Sequence, residues 1–239
     1  MPESRRKREF IKSKMTLTKR GSSAFPRGVT TDDYQNLDQG EARKEAAIAA
    51  HNATREARLA ELRPRIAAEL GGRKVLTLEL GCGHGHFLDG YSTAHPAEFC
   101  IGIDLRSKRI EKGERKLNRG GQENLAFMKA EASEFIDALP EDVSLGKIFF
   151  LFPDPWPKKR HFRYRMLRTD MLDRLAKRAP VGALLHFRSD HTEYFQWAID
   201  HLNEHPAWRI EPELAWPFER ETFFSQLLPV YRSLVAVRV

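Results

Sequence analysis

Cysteine is scarce: Cys82 and Cys100 are the only two in 239 residues, too few for a disulfide framework. The nine histidines are scattered and share no metal-ligand spacing with them, so reduced thiols and no bound metal are expected. No window approaches the run of about eighteen apolar residues that a membrane span needs. The opening MPESRRKREF lacks the apolar segment of a signal peptide. A soluble, cytoplasmic chain with no membrane partner is expected. No internal repeat is visible. Also missing is the last glycine of a dinucleotide fingerprint: Gly81, Gly83 and Gly85 are spaced G-x-G-x-G, and His86 stands where G-x-G-x-x-G requires Gly or Ala. That departure argues against NAD and FAD. Finally, residues 158–168 hold six Lys or Arg and no carboxylate.

Apolar residues make up 41% of the chain, enough for the core of one α/β domain. The net charge of +7 is unevenly placed. Residues 1–20 carry eight cations (Arg5, Arg6, Lys7, Arg8, Lys12, Lys14, Lys19 and Arg20) against Glu3 and Glu9, which leaves the other 219 residues a net of +1. Such an arm points to nucleic acid or another anionic surface. Residues 1–40 are poor in apolar side chains and contain GSSAFPRG and TTDDYQNLDQG, so a basic, mostly disordered arm is expected there. Residues 41–239 would form the domain, opening with an Ala-rich helical segment over 41–70 that breaks or restarts near Pro64.

From KVLTLELG onward, short apolar runs alternate with helical patterns: FCIGIDL, RSKRIEKGERKLN, NLAFMKA, SEFIDAL and KIFFLF. A helix over 164–178, the strand GALLHFRSD and a helix over 192–203 continue the series. Alternation of this kind predicts a mostly parallel sheet covered by helices. WRIEPELAW and LPVYRSLVAVRV have no long helix between them and predict an antiparallel last strand pair. Seven strands so arranged resemble the Rossmann-like class I methyltransferases.

The glycine turn follows a strand and precedes a helix, where absent side chains let the backbone approach a ligand. Glu79 lies two residues before Gly81, and Asp104 ends the next strand in GIDL. This pattern suits S-adenosylmethionine, which has a ribose diol and an ammonium but no phosphate. Asp104 can accept both ribose hydroxyls, and Glu79 can face the ammonium. Glu131, after the third strand, is a candidate beside the adenine, and equally a helix N-terminal acid favoured by the dipole. His84 and His86 read as loop and helix-start residues.

In a doubly wound sheet ligands sit at the carboxyl ends of strands near the switch point. FPDPWPK leaves the fourth strand at Phe152, and Pro153, Pro155 and Pro157 stiffen the exit around Asp154. LELGCGHG, GIDL, FPDPWPKKRH and the later pair Ser189–Asp190 resemble the tRNA (guanine-N7)-methyltransferases over residues 74–239. The resemblance implies methyl transfer from S-adenosyl-L-methionine to the variable-loop guanine, position 46, of tRNA. It makes Glu79, Asp104, Glu131 and Asp154 cofactor-side positions with Gly81, Gly83 and Gly85, Asp154 also the catalytic residue, and Lys158 and Asp190 substrate contacts. Two departures stand out. The family commonly has Asp or Asn at the position of Glu131. Its C-terminal T-x-[YF]-E aligns with FERE at 218–221, which keeps Glu221 as a substrate contact but loses Thr; a shifted register over TFFS at 222–225 keeps Thr and loses Glu.

The chemistry is consistent with that resemblance. Guanine N7 carries a lone pair and no proton, so methylation needs in-line placement and relief of the positive charge that develops on the purine, not a base. Asp154 can accept from guanine N1–H and the 2-amino group. The basic run, with Lys158, Lys159, Arg160, His161 and Arg163 as candidate contacts and Phe162 and Tyr164 interleaved, suits phosphates and splayed bases. Two other readings stay open: an adenine amino-methyltransferase, disfavoured because PDPW lacks the aromatic in the expected register, and a non-catalytic RNA-binding module on the same fold.

Overall fold

The computed structural model describes the backbone of residues 31–219 and 230–239 and the side chains of 42–219 and 230–239. Residues 1–30 of the arm expected over 1–40 lie outside the described residues. The chain divides into the units Met1–Glu56 and Ala57–Val239. Helix α1 (Thr31–Leu70) begins ten residues before the expected start at 41 and passes through Pro64 without a break. Pro64 removes one backbone donor, yet it is exposed while Leu62 and Ile66 on either side are buried with Leu59 and Leu70. The apolar spacing of 3, 4 and 4 residues docks these turns, and the docking outweighs the local cost. Arg58 adds a two-pronged ion pair to Glu134.

Strand β1 (Val75–Leu80) shows the two-residue period that builds the sheet. Leu76, Leu78 and Leu80 are buried in one core cluster, whereas Thr77 and Glu79 are buried on the other face. There follow α2 (His86–Ala94), β2 (Cys100–Asp104), α3 (Ser107–Gly120), β3 (Leu125–Lys129), α4 (Ala132–Ala138) and β4 (Ser144–Leu151). After a 3-10 segment (Lys159–Tyr164) come α5 (Thr169–Arg178), β5 (Leu184–Ser189), α6 (Thr192–Glu204), β6 (Trp208–Ile210) and β7 (Arg232–Arg238). The sheet order is β3-β2-β1-β4-β5-β7-β6. Only β7 runs antiparallel, to both β5 and β6, as expected for the last pair. The order reverses between β1 and β4, so the loops after these strands part and leave a crevice at their carboxyl ends.

Two local expectations are corrected. The helix expected from 164 starts at Thr169, because Arg165 is extended (φ −58°, ψ 134°) and ends the 3-10 segment. The strand expected over 208–216 stops at Ile210 apart from one bond from Glu211 N–H to the Val235 carbonyl; Pro212 has no donor with which to continue the ladder. Both cysteines are buried and unbridged. Among the described residues, no helix is long and apolar enough to cross a membrane, and no cluster of three or more potential metal ligands occurs.

Candidate active site

The loop after β1 turns on three glycines in the left-handed region, Gly81, Gly83 and Gly85, at φ 78°, 57° and 69°. At Gly85 a Cβ would come within 2.3 Å of the Phe127 ring, so glycine is required for space as well as conformation. At Gly83 a Cβ would meet open space, and the Gly83 N–H donates to Asp104 Oδ2 at 3.2 Å. Asp104 also accepts from Arg106 N–H at 2.8 Å and pairs with Arg109 Nη1 at 3.2 Å. Glu79 is buried beside it, and its Oε2 has no hydrogen-bond partner among the described residues. Burial, and secondarily the Asp104 charge, push the Glu79 carboxyl up to about 8. An unpartnered buried carboxyl is costly, and a cationic group of a ligand would offset that cost.

Glu79, Gly81, Gly83, Asp104, Arg106 and Arg109 line a cleft of about 450 Å³, within the range of small-molecule sites. Glu131 is on its wall and also caps α4, accepting from Glu134 N–H at 2.9 Å; the helix-cap reading of this acid therefore holds whatever else it does. The buried acid, the open space at Gly83 and the strand-end Asp104 fit S-adenosylmethionine, whose ammonium and ribose need such acceptors.

Across the crevice β4 ends at Leu151, and the FPDPW loop begins with strain. Phe152 and Trp156, two bulky residues, have φ of 49° and 45°, an uncommon conformation that persists only when the surroundings impose it. Phe152 N–H donates to the Arg188 carbonyl at 2.8 Å. Arg165 supports the other side: its Nε donates to the Pro155 carbonyl at 2.8 Å, its Nη2 reaches Glu193 at 3.3 Å, and its guanidinium lies 3.7 Å from the Phe162 ring centroid and 4.8 Å from that of Trp197. Its side chain is 0% exposed. Within the basic run read as suited to phosphates and bases, Arg165, which is not among its candidate contacts, is thus enclosed beside Phe162 and braces the loop. Asp154, at the middle of it, is exposed on the cleft wall and has no polar partner among the described residues.

The cleft therefore gathers Glu79, Gly81, Gly83, Asp104, Glu131, Asp154 and Arg163. Gly85, Lys158, Lys159, Arg160, His161 and Asp190 are outside its lining. Lys158, Lys159, Arg160 and Asp190 are exposed. Glu221 lies outside the described residues. Sequence reasoning missed Trp156, 37% exposed, whose ring sits 5.2 Å from Tyr164 and 5.7 Å from His161, with the Arg163 guanidinium 4.9 Å from the Tyr164 centroid. It also missed Arg188, which pairs with Glu219 at 2.8 and 3.0 Å, donates to Ser233 at 2.8 Å and stacks on Trp216 and Tyr231. The one signal was a cation inside the apolar strand HFRS.

A sheet that reverses between β1 and β4, with a glycine turn and two acids opening on one cleft, defines a class I methyltransferase fold. A solved antibiotic-related methyltransferase shares it at a TM-score of 0.52 and 19% identity, over 74% of this chain and 94% of that one. The family described as "Putative methyltransferase" matches residues 73–223. A tRNA (guanine-N(7)-)-methyltransferase of Azorhizobium caulinodans is 31% identical over 68% of this chain and 75% of its own length. One from Rhodospirillum rubrum is 36% identical over 56% of this chain. The chain belongs to the tRNA (guanine-N(7)-)-methyltransferase family. It spans about half, 52%, of the length of the Rhodospirillum relative.

Proposed function

We propose that this protein transfers a methyl group from S-adenosyl-L-methionine to N7 of the variable-loop guanine, position 46, of tRNA. The observation that carries the reading is Asp154: an exposed carboxylate held on a strained, doubly braced loop, lining the cofactor-type cleft together with Arg163 and Tyr164, the latter beside Trp156. S-adenosyl-L-methionine supplies an electrophilic methyl on a sulfonium. Glu79 and Asp104 would hold its ammonium and ribose, and Glu131 would be on the adenine side. Arg109 now pairs with Asp104, so ribose hydroxyls would share that carboxylate with it.

N7 has no proton to lose, so the chain needs no general base there. Asp154 accepts from guanine N–H groups, orients the purine and opposes the positive charge that develops on it. Trp156 and Tyr164 offer faces for an unstacked base, while Lys158, Lys159, Arg160, His161 and Arg163 meet phosphates and Asp190 and Glu221 the nucleotide. The basic arm, 1–20, adds phosphate attraction.

Incubation with tRNA and labelled S-adenosyl-L-methionine, followed by nucleoside analysis, tests the reading. The expected product is 7-methylguanosine, and methyladenosine in its place overturns the assignment. Asp154→Asn, which keeps shape and removes charge, is expected to lower turnover by about 10²-fold with cofactor affinity retained in calorimetry; wild-type turnover would remove the electrostatic role.

A further inference from the structure

Helix α3 carries Lys112, Arg115, Lys116 and Arg119 at i, i+3, i+4 and i+7, which places four cations on one stripe, with Lys108 a turn earlier. Glu111, four residues before Arg115, borders that stripe, and Glu114 falls off it. Like charges at i,i+4 destabilise a helix, and the stripe repeats that conflict at 108/112, 112/116 and 115/119. No carboxylate lies within ion-pair distance of Lys112, Arg115 or Arg119 among the described residues. Lys116 Nζ donates to the His84 carbonyl at 2.8 Å, tying the stripe to the glycine loop. Between them is a recess of about 250 Å³ lined by His84, His86, Lys112, Arg115, Lys116 and Arg119: every lining side chain is basic. Burial, then Lys112, Lys116 and Arg109, lower the His84 pKa, in keeping with a concentrated positive field. His84 and His86 also line the cofactor-type cleft, so the two cavities adjoin. S-adenosylmethionine has no phosphate to occupy a cationic recess, and a single small anion would not need a stripe about two turns long.

We infer that the α3 stripe and its recess bind consecutive phosphates of the RNA substrate, forming a second contact with the nucleic-acid backbone apart from residues 158–168. The inference rests on the function proposed above and extends it. In the sheet order, α3 follows β2 and the FPDPW loop follows β4, on opposite sides of β1. An RNA held at both places is restrained on each side of the cleft, which fixes its register before the guanine enters.

The test uses the full chain with Lys112→Ala, Arg115→Ala and Arg119→Ala combined. Because the change relieves repulsion on an exposed face, thermal stability should be retained; Lys112→Gln alone provides a milder variant. The expected result is tRNA affinity about tenfold or more weaker near physiological salt, and a log–log salt slope shallower by about 0.7–0.9 for each phosphate no longer neutralised. Cofactor affinity and turnover at saturating tRNA should be unchanged. Unaltered tRNA affinity and salt slope, in a parent that forms 7-methylguanosine, overturn this inference and leave α3 a solvated face. Stripe-dependent tRNA binding in a parent that forms no 7-methylguanosine supports it and overturns the methylation reading instead.

Discussion

The two faces of the sheet use the same strands for different ends. On the face covered by α1, α4, α5 and α6, the inward residues Leu76, Leu78, Leu80, Ile148, Phe150, Leu185 and Phe187 are all apolar and at most 1% exposed. On the face covered by α2, α3, Trp216 and Phe218, the intervening positions include Thr77, Glu79, Lys147, His186 and Arg188. Some of these polar groups satisfy one another. Lys147 Nζ donates to Glu98 and to Tyr91 Oη, and Thr77 Oγ1 and Tyr91 Oη donate to Glu98 at 2.8 and 3.0 Å. Others do not: Glu79 Oε2 and both His186 ring nitrogens lack a hydrogen bond of normal geometry among the described residues. One face thus carries stability with little chemistry, and the other keeps uncompensated polarity next to the cleft.

That contrast can be broken most sharply on the apolar face. Phe187→Ala is expected to cost about 3–5 kcal/mol, the usual range for a fully buried aromatic, read as a lower urea midpoint at unchanged m-value. A loss under about 1 kcal/mol would show that this face is not the main source of stability.

On the polar face the expected effects depend on pH, with opposite signs for two residues. Glu79 titrates near 4.5 unfolded and is raised to about 8 in the fold, so the unfolded chain releases its proton first and stability falls as pH rises between these values. The slope approaches tenfold in the folding equilibrium per pH unit. Glu79→Gln should flatten that contribution in the ligand-free protein, most visibly between about pH 5.5 and 7.5 by urea denaturation. An unchanged slope would show that Glu79 is already ionised and partnered.

His186 gives the smaller effect. It stacks on Phe149 at 4.5 Å. Burial lowers its pKa from 6.5 to about 4, with Lys147 adding to the shift against the backbone of Ile148 and Glu98. The unfolded chain gains the proton first, so its contribution is complete above pH 6.5 and is lost as pH falls toward 4. His186→Phe should remove that acid loss while leaving stability near pH 7.5 within about 1.5 kcal/mol, as for a volume-conserving core change. If His186→Phe and Glu79→Gln shift the pH profile in the same direction, the contrast between the two sites fails.

Local pattern in the sequence was sufficient for the alternation of strands and helices, the antiparallel last pair, the end of β4 to within one residue (Phe152 expected, Leu151 observed), and the glycine turn with Glu79 and Asp104 at strand ends. Each depends on a two-residue or 3.6-residue period, on glycine conformation or on proline's missing donor, all set within a few residues. The tertiary structure decided which polar residues are available to a ligand. Arg165 and Arg163 are two residues apart in one basic run, yet Arg165 is enclosed by Phe162, Tyr194 and Trp197 while Arg163 lines the cleft. Pro64 stays inside a helix because Leu62 and Ile66 are buried, and Arg188 joins the FPDPW loop to Glu219 and Ser233 across 31 and 45 residues of chain. The one-colour stripe of α3 can be seen in its spacing, but its position beside the cleft follows from β2 pairing with β1. Charge and periodicity are properties of the chain; burial and juxtaposition arise only when distant segments share one core, because the free energy that encloses a guanidinium or strains Phe152 comes from the packing of those segments together.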